Sequence, residues 1–327
     1  MIVTVTPNPS IDRTVTLPVE LVRGAVHRVS SVSSEPGGKG VNVARALRLA
    51  GIDVITVLPA GDHDPILAAL RAIDVEFHRV PVTAAVRTNL AITESDGTTT
   101  KINEPGAVVE PVDIDALTQA VAAHARAAQW VVLSGSLPPG MSDGWYSDMV
   151  VALRAYGCKV AVDTSDGPLA ALAANLDRAA PDLIKPNSEE LAGLSGATAE
   201  SLESAVRRGN AAPVVSAARR LIDRGVGAVL ATLGAAGAVL VDADGAWLAT
   251  PPPITPRSTV GAGDSSLAGY VRADVEGATA PQRLQMAVAY GSGAAALPGT
   301  ALPSPGQINL DDVAVTAVSA PNPKVSS

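Results

Sequence analysis

The chain has 327 residues, of which 47% are hydrophobic but only 2% are aromatic, so its core must be built mainly from Val, Ala, Leu and Ile. Its 32 acidic and 24 basic residues give a net charge of −8. This acidic excess argues against a nucleic acid or an anionic membrane as partner, because both bind basic surfaces. The single cysteine, Cys158, excludes an intramolecular disulfide and a thiolate metal cluster, and we expect it to pack as a small apolar residue.

Apolar runs of strand length alternate along the chain with segments of helical periodicity. The predicted buried strands are 53–58, 129–135, 159–164, 182–187 and 227–234, and the predicted amphipathic helices are 38–51, 113–128 and 212–225. This alternation predicts an α/β fold with three layers, in which helices cover both faces of a mainly parallel sheet. Ligands of such folds bind outside the carboxyl ends of the strands. Residues 1–318 are expected to form a single domain.

Two segments depart from this alternation of strands and helices. Residues 10–34 and 86–104 alternate apolar and polar residues with a period of two, and Asp96-Gly97 is a strong hairpin signal. They predict a small antiparallel β flap with one solvated face, added to the α/β core.

The ends of the chain and its uncharged stretch bear on localisation. The chain opens directly on a strand-like segment, MIVTVTPNPS, without the features of a signal peptide. Residues 284–310 carry no charge but are broken by glycines and prolines, so they predict a short helix and a loop rather than a membrane span. We expect a cytoplasmic protein, with residues 319–327 as a disordered tail.

The segment 258–270, STVGAGDSSLAGY, combines a turn of small residues with a helical pattern. The turn Gly261-Ala262-Gly263 should present backbone amides at a helix N-terminus, where free N–H groups and the helix dipole bind anions. A carboxylate at Asp264 would repel a phosphate there, unless it accepts a proton from a hydroxyl that attacks the phosphate. Aspartate is also a preferred N-cap, so helix capping remains the alternative. The glycines on both sides favour catalysis.

A second glycine cluster lies at 35–47, EPGGKGVNVARAL. Gly37 and Gly38 predict a turn that lets backbone approach a ligand closely. Lys39 then begins a helix, and Asn42 lies on the same face one turn later. Sugar hydroxyls or a phosphate would suit this pocket, whereas the alternative is a tight turn followed by a solvated lysine.

These two segments resemble the two signatures of the pfkB, or ribokinase-like, family of carbohydrate kinases. Three further segments, LSGSLPPG, LIKPNSEEL and TLGAAGAVL, are similar to family motifs in the same order and spacing, and so are TPNPSID and RTN…KINEPG. The resemblance covers nearly the whole chain. The PGGKG form is most similar to 1-phosphofructokinases and tagatose-6-phosphate kinases, and PPPITPRSTVGAGDSS resembles the 1-phosphofructokinase branch.

The resemblance implies a catalytic centre. Asp264 matches the general base that deprotonates the sugar hydroxyl, and the amides of Gly261, Ala262 and Gly263 match the anion hole for the transferred phosphoryl group. Asn187 and Glu190 match an N-x-x-E motif that organises Mg²⁺, in part through waters.

The resemblance also implies two sets of binding residues. The expected nucleotide-binding positions are Lys185, Asn187, Thr232, Gly234, Gly237, Gly291 and Ser292. The expected sugar-contacting positions are Asp12, Gly37, Gly38, Lys39, Asn42, Asn89 and Asn103, with Arg87 and Ser136 as candidates for holding a phosphate already on the sugar. Asp166 departs from the family pattern, because relatives usually have glycine at this position.

The implied function is an ATP- and Mg²⁺-dependent kinase of a ketohexose monophosphate, converting fructose 1-phosphate to fructose 1,6-bisphosphate. Tagatose 6-phosphate and fructose 6-phosphate remain alternative substrates. A non-catalytic sugar-phosphate sensor is the alternative from another class, although a sensor would not need the base, the anion hole and the metal motif together. The flap is expected to cover the sugar, exclude water and pair two chains into a homodimer.

Overall fold

The computed structural model describes residues 1–318. The strands are β1 (Ile2–Val5), β2 (Ser10–Thr16), β3 (Ser31–Gly37), β4 (Val54–Ala60), β5 (Glu76–Pro81), β6 (Arg87–Thr93), β7 (Thr99–Asn103), β8 (Trp130–Ser134), β9 (Lys159–Asp163), β10 (Leu183–Ile184), β11 (Ala228–Thr232), β12 (Ala238–Asp242), β13 (Ala246–Thr250) and β14 (Ala314–Ala317). The helices are α1 (Lys39–Leu49), α2 (Pro65–Ala72), α3 (Pro111–Ala125), α4 (Trp145–Leu153), α5 (Asp166–Ala174), α6 (Leu176–Ala179), α7 (Ser188–Ser195), α8 (Ala199–Arg207), α9 (Ala212–Ile222), α10 (Ala262–Val275) and α11 (Ala280–Ala295).

One large sheet organises the described chain, with the strand order β14-β13-β12-β11-β10-β9-β8-β1-β4-β5. From β11 to β5 in this order all neighbours run parallel, and β12, β13 and β14 add antiparallel neighbours at one end. The connections explain the difference, because parallel neighbours need crossovers, which here contain helices, whereas β11 and β12 are joined by a short 3₁₀ turn. The predicted mainly parallel sheet is confirmed.

Helices cover both faces of the sheet. Alternate residues of β1 enter opposite cores, with Val3 and Val5 on one side and Ile2 on the other. The first core packs against α3 to α9, and the second packs against α1, α2, α10 and α11. Both cores are dominated by aliphatic side chains, as the composition predicts, and Cys158 is buried as expected.

The flap forms a separate four-stranded sheet with the order β3-β2-β6-β7. Its two outer pairs are antiparallel, and Asp96-Gly97 lies in the predicted hairpin between β6 and β7. The central pair, β2 and β6, is parallel, which corrects the prediction of an all-antiparallel flap. The reason is topological: β2 continues from β1 and β6 follows β5, so both leave the same edge of the main sheet in the same direction.

Several predicted boundaries shift where prolines intervene. The predicted strand 182–187 shortens to Leu183–Ile184, because Pro186 has no amide to donate. The strand-like lead-in to the 258–270 motif ends at Thr250, since Pro251 begins a run of three prolines. In the stretch 284–310, helix α11 ends at Ala295 and a loop follows, as predicted. In the part of the chain that the structure describes, no helix is both long and apolar enough to cross a membrane. The predicted disordered tail, 319–327, lies outside the described residues.

Candidate active site

The predicted anion-binding turn lies at the start of α10. Gly261 precedes the helix with a φ of 75°, in the left-handed region, and Ala262 is the first helical residue. The first amides of a helix have no acceptor within it and lie at the positive end of the helix dipole. The turn 261–263 therefore has the local structure of an anion site, as the sequence predicts.

Asp264 is the third residue of α10 and is only 6% exposed. Its Oδ2 accepts a hydrogen bond of 2.9 Å from Nδ2 of Asn42, which lies on α1. Burial and the nearby Asp163 carboxylate raise the pKa of Asp264 to about 6, against the opposing effects of Lys39 and Asn42. The carboxylate is therefore ionised at neutral pH and is basic enough to accept a proton from an attacking hydroxyl.

A buried carboxylate that the motifs did not mark lies close to this site. Asp163 ends β9 with its side chain wholly buried. Its Oδ1 accepts a hydrogen bond of 2.9 Å from Lys39 Nζ, and Lys185 Nζ lies 3.3 Å from its Oδ2. Burial alone would raise the pKa of Asp163, but the two ammonium groups outweigh it and lower the pKa. The sequence could have marked Asp163 as a site residue, because it lies near the carboxyl end of the predicted strand 159–164, where ligands of parallel sheets bind.

The two lysines are held at the same end of the sheet. A Cβ atom added at Gly263 would lie 3.2 Å from Lys185 Nζ, so this ammonium group borders the anion-binding turn. Burial disfavours the charge of Lys39, but the carboxylates of Asp163 and Asp264 outweigh burial and raise the pKa of Lys39. Both groups can therefore neutralise phosphate charge, whereas the predicted contact of Lys39 with the sugar stays a prediction.

The flap presents a polar row on one face. The strand register aligns four residues, one from each strand: Glu35, Asp12, Asn89 and Asn103. Asn89 Nδ2 donates a hydrogen bond of 3.0 Å to Asp12 Oδ1. A Cβ atom at Gly37 would lie 2.3 Å from Asp12 Cγ, so only glycine lets β3 pass this carboxylate. Three predicted sugar-contacting residues thus share one face.

Helix α1 links this row to the proposed base. Gly38 caps the helix, which begins at Lys39 as predicted, and Asn42 lies one turn later with its amide on Asp264. Arg45 donates to Asn42 Oδ1 at 3.4 Å and forms an ion pair with Glu35 of the flap row. Helix α1 therefore contacts both the flap row, through Glu35, and the proposed base.

Arg87 and Ser136, the two candidates for holding a phosphate, lie in contact. Arg87 Nη2 donates to Ser136 Oγ at 3.3 Å, and Nη1 donates to the Glu104 carbonyl oxygen at 2.9 Å. Burial lowers the pKa of Arg87 from its high ordinary value, although Asp12 and Glu104 oppose this. The guanidinium group remains charged at neutral pH.

The predicted metal motif forms a capping box at the start of α7. Asn187 Oδ1 accepts from the Glu190 amide at 2.8 Å, and Glu190 Oε2 accepts from the Asn187 amide at 2.8 Å. Burial raises the pKa of Glu190. Thr232 lies beside Asn187, since the two residues form an isolated parallel bridge, and Glu189 is exposed.

The remaining nucleotide-side candidates occupy a turn and a helix. Gly234 and Gly237 lie at the 3₁₀ turn that follows β11, and Gly291 and Ser292 lie on α11. Gly291 is buried, and a Cβ atom there would lie 2.2 Å from Ser266 Oγ. Close packing of α11 on α10 accounts for this glycine, and its predicted place beside adenine stays a prediction.

Asp166, the departure from the family pattern, begins α5 with a φ of 53°. This left-handed conformation favours glycine, which explains why glycine suits the position. The side chain is exposed and accepts a hydrogen bond of 2.8 Å from Ser165 Oγ. Asp166 therefore adds no buried negative charge to the site.

Two curated relatives are similar to this chain over most of its length. The 1-phosphofructokinase of Rhodobacter capsulatus is 38% identical over 311 residues, which cover 93% of this chain and 93% of the relative. The 1-phosphofructokinase of Xanthomonas campestris pv. campestris is 37% identical over 280 residues, which cover 85% of each chain.

A solved structure is similar to this chain in its three-dimensional fold. Phosphofructokinase-2 from Escherichia coli, crystallised in complex with substrates and products, aligns with a TM-score of 0.84 at 30% identity, over 94% of this chain and 96% of that chain. The sequence profile described as pfkB family carbohydrate kinase matches residues 5–307. The chain therefore belongs to the pfkB family of carbohydrate kinases, and its reaction is the transfer of a phosphoryl group to a sugar.

Proposed function

We propose that this chain transfers the γ-phosphoryl group of ATP to fructose 1-phosphate and forms fructose 1,6-bisphosphate. The observation that carries the proposal is the buried Asp264 carboxylate, which lies at the anion-binding turn and is held by Asn42 of the sugar-side helix. The names of the relatives from R. capsulatus and X. campestris support the choice of fructose 1-phosphate. A non-catalytic sensor is disfavoured, because the family, the buried carboxylate of Asp264 and the turn before it all favour a kinase.

In this proposal Asp264 accepts the proton of the C6 hydroxyl as the hydroxyl oxygen attacks the γ-phosphorus, and the bond from that phosphorus to the bridging oxygen breaks to release ADP. The amides of the turn 261–263 stabilise the charge on the phosphoryl oxygens. Lys185 borders this turn and adds a positive charge, and Asp163 fixes its ammonium group. Phosphoryl transfer depends mainly on such positioning and charge stabilisation, so the chain needs no covalent intermediate.

The phosphate already present on the substrate is proposed to bind between Arg87 and Ser136. Their contact gives two donors side by side, and the planar guanidinium group can donate parallel hydrogen bonds to two oxygens of one phosphate. The sugar ring would then lie along the polar flap row, with Asp12, Asn89 and Asn103 as hydroxyl partners.

Mg²⁺ is proposed to act with ATP, and the donor set fits it. Within residues 1–318, no group of three or more His, Cys, Asp or Glu side chains could cage a metal ion. Mg²⁺ suits such a sparse site, since it keeps several waters and binds through one or two carboxylates and the substrate phosphates. Glu190 and Asn187 would hold the hydrated ion, which neutralises phosphate charge. One Glu190 oxygen caps α7, and the other is left for this role.

The nucleotide is proposed to lie along the ends of β10 and β11. Thr232 and Asn187 adjoin there, and Gly234 and Gly237 follow in the next turn. Gly291 and Ser292 on α11 are proposed to border the adenine. We expect the reaction to take place in the cytoplasm.

We further propose a homodimer formed through the flap. The strand register places apolar residues on the face opposite the polar row: Val15, Val32, Leu90, Ile92 and Ile102. Two of them are well exposed, with Val32 at 47% and Ile102 at 55%. An apolar sheet face of this kind favours association with a second sheet.

The experiment that tests the function is a coupled assay of ADP release with three sugar phosphates: fructose 1-phosphate, fructose 6-phosphate and tagatose 6-phosphate. The proposal predicts the highest kcat/KM for fructose 1-phosphate. A higher value for fructose 6-phosphate or tagatose 6-phosphate would contradict the substrate assignment while leaving the kinase activity intact.

A further inference from the structure

We propose that Asn8 is a positioning residue for the phosphate carried by the sugar, because it fixes the Ser136 hydroxyl as a hydrogen-bond donor to that phosphate. The inference rests on the proposed function, in which Arg87 and Ser136 bind this phosphate. Asn8 follows β1, and no sequence motif above assigned it a role.

The Asn8 side chain is held in one orientation. It is 6% exposed, and its Nδ2 donates to the Pro105 carbonyl oxygen at 3.0 Å and to Ser136 Oγ at 3.3 Å. The opposite orientation of the amide would set its own oxygen against the Pro105 carbonyl oxygen, which cannot donate. The backbone also confines the side chain, since a Cβ atom at Gly106 would lie 2.3 Å from Asn8 Oδ1.

Ser136 Oγ therefore receives two donors. Nδ2 of Asn8 and Nη2 of Arg87 each donate to it at 3.3 Å. A hydroxyl group has two acceptor sites and one hydrogen, and neither of these nitrogens can accept. The Ser136 hydrogen must consequently point to a third partner. Ser136 is exposed, so a ligand can reach it, and a phosphate oxygen is an acceptor of the required kind.

The neighbouring contacts point to the same ligand chemistry. The buried Nε of Arg87 has no hydrogen-bond partner among the described residues. Nη1 of Arg87 is bound to the Glu104 carbonyl oxygen, one residue before the Pro105 carbonyl that binds Asn8. Asn8 thereby links the end of the flap, at Pro105, to the loop that carries Ser136. This link fixes the positions of the Arg87 and Ser136 donors relative to each other.

The test begins with Asn8→Asp, which keeps the shape of the side chain but replaces the donor to Ser136 and to the Pro105 carbonyl oxygen with an acceptor. The Ser136 hydroxyl should turn toward the introduced carboxylate and stop donating to the phosphate. We expect the KM for fructose 1-phosphate to rise about ten-fold, as the loss of one charge-assisted hydrogen bond implies. The kcat and the KM for ATP should change less than about two-fold, because Asn8 does not contact the groups proposed to bind ATP. This is well below the roughly ten-fold change expected for the loss of one charge-assisted hydrogen bond.

A double-mutant cycle separates positioning from simple charge repulsion. In a Ser136→Ala background no hydroxyl remains to be turned, so Asn8→Asp should then raise the KM for fructose 1-phosphate by a much smaller factor. The neutral variant Asn8→Leu, which removes the donor without adding charge, should raise this KM by a smaller factor and should also lose its effect in the Ser136→Ala background. If either Asn8 effect persists at full size without the hydroxyl, the inference is overturned.

Fructose without a phosphate distinguishes failure of the inference from failure of the proposed function. The wild-type protein should prefer fructose 1-phosphate to fructose strongly, and Asn8→Asp should reduce that preference. If the wild type uses both sugars equally well, Arg87 and Ser136 do not bind a substrate phosphate, and both proposals fall. If the preference is present but Asn8→Asp raises the KM for ATP equally, only the inference falls.

Discussion

At the scale of single residues, two carboxylates and two ammonium groups share the reacting end of the site. Asp163 is ion-paired with Lys39 and Lys185 and has a lowered pKa, whereas Asp264 is buried beside a negative neighbour and has a raised pKa. The environments therefore push the pKa values of the two carboxyl groups apart, which supports the proposal that Asp264 accepts the proton while Asp163 balances the charge of the two lysines.

The first prediction concerns pH. Asp264 can act as a base only when ionised, so kcat/KM should fall as pH drops through about 6. Asp163→Asn removes a negative charge that raises the pKa of Asp264, so the acid limb should move to lower pH by roughly one pH unit. The measurement is the pH profile of kcat/KM for both proteins. A limb that stays in place or moves to higher pH would show that Asp163 does not tune the base.

The second prediction concerns the metal motif. Glu190→Gln keeps an acceptor for the Asn187 amide but loses a charge, so the Mg²⁺ concentration for half-maximal rate should rise about ten-fold or more. Glu189 is the matched control, because it lies in the same first helical turn but is exposed. Activity should be titrated with Mg²⁺ at fixed ATP. Equal effects of Glu190→Gln and Glu189→Gln would mean that the metal register is wrong.

The sequence predicted the local features of the site better than its contacts. The turn before Asp264 and the helix start at Lys39 were predictable because glycines and helical periodicity act over a few residues. Asp163 and Asn8 were missed, since their importance comes from partners more than 20 positions away, Lys185 and Ser136. Both follow or end a parallel strand, and only the strand order reveals that these ends meet.

At the scale of elements, helix ends and strand directions set the site. The flap illustrates what local pattern cannot predict: the period-two alternation identified its strands, but the parallel pairing of β2 and β6 depends on the order of β1 and β5 in the main sheet.

The start of α5 illustrates local strain, because Asp166 has a φ of 53° where most residues are disfavoured.

The third prediction follows from that strain. Asp166→Gly should raise the free energy of unfolding by about 0.5–1 kcal/mol, because glycine adopts the left-handed region without a Cβ clash. Asp115 is the control, since it is exposed within α3, where glycine is a poorer helix former than aspartate and should instead lower stability by a few tenths of a kcal/mol. Denaturant unfolding measures both changes. A loss of stability in Asp166→Gly would contradict the strain argument.

At the scale of the whole molecule, the flap has two faces with different roles. One face carries the polar row proposed to bind the sugar, and the other carries the apolar residues proposed to pair two chains. Because the short loop 6–9 joins β1 of the main sheet to β2 of the flap, movement of the flap relative to the main sheet would open or close the proposed sugar site.

The fourth prediction tests the pairing of chains. Ile102→Glu places a charge on the apolar flap face, at its outer strand β7, so the protein should dissociate into monomers. Val112→Glu is the control, because Val112 is 70% exposed at the start of α3, away from this face. Light scattering after size-exclusion chromatography measures both masses. A monomeric wild type, or an Ile102→Glu protein that remains dimeric, would contradict the proposed interface.

The central claim is that Asp264 is the base of a kinase that phosphorylates fructose 1-phosphate. Its most direct test follows product formation from fructose 1-phosphate and MgATP by ³¹P NMR, for the wild type and for Asp264→Asn, with the affinity for each substrate measured by calorimetry. The wild type should form fructose 1,6-bisphosphate, and Asp264→Asn should react about 10²–10⁴-fold more slowly while it binds both substrates with nearly unchanged affinity. Absence of the bisphosphate in the wild-type reaction, or a near-normal rate for Asp264→Asn, would contradict the account.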